Sequence, residues 1–131
     1  SDSESLIAVE LKDLGSEVWK IEYDDNNDPE LCINRRIPDA INRISEDIFF
    51  QSLILPAAFR QILTWYLLED DEFEGGKIDQ WMEFAELYAG KPPKSKEDPQ
   101  ATIQWVDEVV AAFSSQFTLC EELVKKLEDS K

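Results

Sequence analysis

Three acidic residues, Asp79, Glu83 and Glu86, are spaced four and three apart. That interval brings side chains onto one face of an α-helix. Carboxylates so placed could hold a magnesium ion, the arrangement a magnesium-dependent all-helical hydrolase would use. Such a centre needs a second acidic pair of similar spacing on a following helix. The last helix offers Asp107 and Glu108 instead, which are adjacent and so point in different directions. With 29 Asp and Glu in 131 residues, chance alignments of this kind are expected, and a solvated helix face is the simpler reading.

Two segments open like calcium loops. Asp24, Asn26 and Asp28 alternate, but Pro29 takes the glycine position and Arg35 the twelfth, where a bidentate Glu belongs. Asp70, Glu72, Glu74 and Gly75 repeat the opening, with Trp81 at the twelfth position. Neither loop has its decisive ligand. Solvated acidic turns remain the default.

The chain has no histidine, which removes Ser-His-Asp and Cys-His catalysis and the commonest zinc ligand together. Of the two cysteines, Cys32 falls within an alternating segment and Cys120 within an apolar helical seam; packing is the simplest role for both. No phosphate-binding loop, dinucleotide fingerprint or CxxC pair occurs. Arg36 and Arg43 could grip a carboxylate or phosphate, although Asp39, Glu46 and Asp47 are close in sequence and could neutralise them. No cofactor is expected.

The net charge of −16 repels nucleic-acid backbones and anionic lipid surfaces, and favours cationic partners. At 43% hydrophobic residues with four Trp, seven Phe and three Tyr, the chain is nonetheless too apolar to be disordered. Two isolated cysteines suit a reducing, cytoplasmic setting. The polar residues Ser1 to Ser5 do not resemble a signal peptide. The lack of an initiator Met fits either its removal or excision from a longer protein.

The elements that would position these residues divide at Pro38. Trp19, Ile21 and Tyr23 alternate with Val18, Lys20 and Glu22, and Leu31, Ile33 and Ile37 share one row in which Arg35 is the misfit. The turn formers from Asp24 to Pro29 join these runs into a β-hairpin. Leu6 to Leu11 reads as a third strand ahead of Val18, giving a meander, with a helix stopped at Gly15 as the alternative.

Beyond Pro38 the period becomes helical. Ala40, Ile41, Ile44 and Ile48 start a first helix, and Pro56 either opens a second or kinks a continuous one. The apolar stretch from Ile48 to Leu68 is interrupted by Gln51, Ser52, Arg60, Gln61 and Thr64, which makes it a buried helix rather than a membrane span. Ile78, Trp81, Met82, Ala85 and Tyr88 form a stripe that stops at Gly90. Asp98 caps the last helix, and Ile103, Val106, Val110, Phe113, Phe117, Cys120, Val124 and Leu127 run along it at alternating steps of three and four. Two Phe in that seam favour docking within a bundle over a coiled-coil dimer.

The expected fold is α+β: a small antiparallel sheet of two or three strands within residues 1–37, then four or five helices within residues 38–131, in one domain. The expected function is a non-catalytic interaction or accessory domain, monomeric or weakly dimeric, that presents an acidic surface to a protein partner with a basic face. Trp105, which lies off the seam, with Asp107 and Glu108, and the acidic loop of Asp70, Asp71, Glu72 and Glu74, are the candidate contacts. The alternatives are a DNA-mimicking inhibitor, whose carboxylates imitate phosphates, and the magnesium-dependent hydrolase.

Overall fold

A computed structural model describes residues 7–68, 76–94 and 97–129. Three strands, β1 (Ala8–Lys12), β2 (Trp19–Tyr23) and β3 (Pro29–Asn34), precede five helices. These are α1 (Ala40–Glu46), α2 (Ile48–Leu68), α3 (Ile78–Ala89), α4 (Pro99–Gln116) and α5 (Leu119–Asp129). The α+β architecture agrees with the sequence pattern. No helix among the described residues is long and apolar enough to cross a membrane.

The sheet departs from the expected meander. Its order is β1-β3-β2, with β2 antiparallel to β3 and β1 parallel to β3. The most apolar strand therefore takes the centre: Leu31, Cys32 and Ile33 are essentially inaccessible, whereas every residue of β1 is exposed or half-buried. A strand with Leu, Cys and Ile in succession buries more apolar area at the centre than at an edge. Asn34 closes the end of the sheet. Its side-chain amide donates to the carbonyls of Gly15 and Glu17 at 2.9 Å each, so a 4% exposed polar residue is satisfied.

The β2–β3 turn is tied to the helices. Asp24 accepts backbone N–H bonds from Asn26 and Asp28, an Asx turn. Tyr66 of α2 donates to the Asn27 carbonyl at 2.9 Å, and Asp28 accepts from the Lys77 N–H at 2.6 Å, immediately before α3.

One cluster of buried side chains joins the sheet to the helices, with Ile21, Leu31 and Ile33 on the sheet side. Facing them are Ala58, Phe59, Ile62, Leu63 and Tyr66 of α2, within the apolar stretch read from sequence as a buried helix. α2 runs continuously through Pro56, which costs one backbone hydrogen bond but does not end the helix. Asp47 separates α1 from α2 and accepts the Phe49 N–H at 2.9 Å, capping the longer helix. Pro38, expected at a first helical position, lies ahead of Asp39, whose φ of 59° breaks the chain before Ala40. Asp98 caps α4 as expected, accepting from the Ala101 N–H at 3.0 Å.

The long seam from Ile103 to Leu127 is not one helix. Thr118, at φ 45°, ends α4 and redirects the chain into α5. The buried face of α4 consequently becomes Thr102, Trp105, Val106, Val109 and Val110. Phe113 completes an aromatic cluster with Phe59, Phe84 and Tyr88, at centroid separations of 5.3, 6.4 and 5.9 Å.

Candidate functional site

The sequence-derived candidates separate into groups that the fold does not unite. Asp79 and Glu83 are exposed on α3 and Glu86 is half-buried. Among the described residues, one group of three ligand-type atoms lies within 4.8 Å of one another, and it is Glu22, Glu30 and Cys32. The α3 carboxylates form no such group. Asp70, Asp71, Glu72 and Glu74 lie outside the described residues.

The Glu22, Glu30 and Cys32 group sits on the sheet face opposite the helices, and it already contains a cation. Lys12 Nζ lies 2.7 Å from Glu22 and 3.7 Å from Glu30. The hydrogen bond from Lys12 holds the Glu22 carboxyl below its ordinary pKa and raises that of Lys12 itself. Burial, and then the charge of Glu22, push the Cys32 thiol up. A protonated thiol under a lysine–carboxylate bridge is poorly suited to nucleophilic work or metal ligation. Residue spacing alone does not reveal this cluster, because it arises from the parallel β1–β3 pairing that brings Lys12 over β3.

Arg36 and Arg43 have structural partners. Arg36 donates to the Gly15 carbonyl at 3.2 Å. Arg43 donates to the Pro38 carbonyl at 2.8 Å, pairs with Asp47 at 3.6 Å and lies 6.0 Å from the Phe50 ring centroid. Both guanidinium groups brace turns, and the surroundings of Arg43 (Asp39, Glu46 and Asp47) disfavour an anion.

Trp105 is not an exposed anchor. It is 5% exposed, and its indole N–H donates to the Gly90 carbonyl at 3.1 Å. The sequence misplaced it because the buried face of α4 is rotated away from the seam. Asp107 and Glu108 do face solvent, but Asp107 is engaged by Arg60 of α2.

The broken seam leaves a feature that sequence periodicity concealed. α5 packs on α2 and α4 with Leu119 buried and Leu123 half-buried. The rest of its apolar side, Cys120, Val124 and Leu127, is exposed, as is Phe117 just before it. Val124 is 45%, Leu127 50% and Phe117 52% accessible. Glu121 and Glu128 follow around the helix on the outer side of this row, both exposed. The row therefore consists of apolar side chains bordered by carboxylates.

No protein-family model matches the chain, and neither the curated proteins nor the solved structures provide a match.

Proposed function

We propose that the chain is a non-catalytic interaction module that binds a protein partner through the outer side of α5 and the acidic surface around it. One observation carries the reading: the apolar side of α5 is wider than its contact with the rest of the molecule, leaving Cys120, Val124 and Leu127 exposed on one side of the helix. An amphipathic helix seated in a groove is a common recognition mode, read through residues spaced three and four apart. Val124 and Leu127 have that spacing. The border of Glu121 and Glu128, in a chain of net charge −16, selects a groove rimmed by Lys and Arg. Charge would speed encounter and exclude acidic competitors, while the apolar row would supply the contact that excludes water.

The test uses exposed positions, where substitution leaves the core intact. The full chain, Val124→Asp/Leu127→Asp and Glu121→Lys/Glu128→Lys are compared as baits in native extract. Support requires a specific protein retained by the parent, lost with the apolar pair, and weakened by the charge pair and by salt. Retention unchanged in both double variants would defeat the reading. A partner displaced by duplex DNA would instead identify a DNA mimic.

A further inference from the structure

From Gln100 to Asp129 the chain contains neither Gly nor Pro, and its apolar seam keeps steps of three and four from Ile103 to Leu127 without a miss. Residues of those types at that period favour one continuous helix. The folded chain bends instead at Thr118, whose φ of 45° lies in the left-handed region. A β-branched residue there is a backbone outlier, where a helix ordinarily ends on Gly. The Thr118 carbonyl accepts the Glu122 N–H at 2.9 Å, a bond that a straight helix would keep. Local structure therefore gains nothing from the bend.

Tertiary packing holds it. α5 folds back onto α2, with Leu119 buried and Leu123 half-buried. The seam around the bend stays open, since Phe117 and Cys120 are both exposed. A helix attached through one short, strained hinge can leave its own core and dock in the same way on an identical chain.

We propose that Thr118 is a hinge through which two copies of this chain exchange α5. In the exchanged dimer α4 and α5 straighten into one helix, Leu119 docks on α2 of the other copy, and the seam at Phe117 and Cys120 meets its counterpart across the two-fold axis. The contacts of α5 are remade between copies, so the gain is a relaxed Thr118 backbone and a newly covered seam. Two chains of net charge −16 repel one another, so salt should favour the dimer.

The full chain and Thr118→Gly are refolded from urea at high protein concentration, which lets chains exchange, and are then followed by sedimentation equilibrium. Low salt is compared with about 1 M NaCl, where the screening length is about 3 Å. The parent should form a dimer that salt strengthens. Glycine adopts a positive φ freely, so Thr118→Gly favours the bent form at both hinges of the dimer. It should dimerise at least roughly 25-fold more weakly, about fivefold for each hinge, and the variant monomer should resist urea better than the parent. A dimer of equal strength in both proteins would be surface association without exchange and would overturn the proposal. So would a parent that stays monomeric at every concentration and in both salts.

Discussion

The indole N–H of Trp105 and the carbonyl of Gly90 meet at 3.1 Å, joining the middle of α4 to the end of α3. Gly90 has a φ of 71° and terminates α3, so its carbonyl points away from the helix ladder and needs a donor from elsewhere. Trp105 supplies it while filling the space between the two helices.

Trp105→Phe keeps most of the ring volume but leaves that carbonyl without its donor. It should lower unfolding stability by about 1–3 kcal/mol. Trp105→Ala should cost about 3–5 kcal/mol by adding a cavity. Urea denaturation followed by circular dichroism measures both, and a change below the lower bound for Phe would show that the bond contributes little.

Gly76 and Gly15 share a positive φ, 60° and 65°, but not their surroundings. A Cβ at Gly76 would meet Asp28 Oδ1 at 2.6 Å and the Asn26 carbonyl at 2.7 Å, while one at Gly15 meets nothing within 4 Å. Gly15→Ala should cost only the left-handed backbone penalty, about 1 kcal/mol. Gly76→Ala should cost more, at least about 2 kcal/mol, because it also displaces Asp28 from the Lys77 N–H. Equal losses in thermal or urea unfolding would argue against the contact.

The two thiols should differ in reactivity. Cys120 is exposed, whereas Cys32 is buried and its thiol pKa is raised by burial and by Glu22. A chromogenic disulfide reagent at pH 8 should modify one thiol promptly and the second only on unfolding. Peptide mapping should assign the prompt site to Cys120. Rapid loss of both thiols from folded protein would contradict the burial of Cys32.

Tyr66 donates its hydroxyl to the Asn27 carbonyl, and burial, followed by the nearby Asp28, Tyr23 and Asp24, raises its pKa above 10.0. Because the folded value is the higher, the unfolded chain releases this proton first. Its contribution is therefore complete below pH 10 and declines as the pH rises from there toward the folded value. Tyr66→Phe should be less stable at neutral pH and should flatten the alkaline decline by about one proton. Tyr88 is raised by burial in the same direction and remains in both proteins, so the comparison isolates Tyr66. Parallel stability curves above pH 10 would remove this role.

Much of the local architecture was written in the residues themselves. The alternation of Trp19, Ile21 and Tyr23, the Asp24–Asp28 turn, the apolar stretch of α2, the stop at Gly90 and the Asp98 cap depend on neighbours within a turn or two. Such features follow from side-chain spacing and backbone preference alone. Tertiary structure decided the rest. Strand order depended on which segment could bury both faces, and that choice placed β3 at the centre and Lys12 over Glu22. An unbroken apolar period from Ile103 to Leu127 could not reveal the bend at Thr118. Periodicity records which side chains share a face within one helix, but whether a face is covered depends on partners distant in sequence, so Trp105 went inside and half of α5 stayed out.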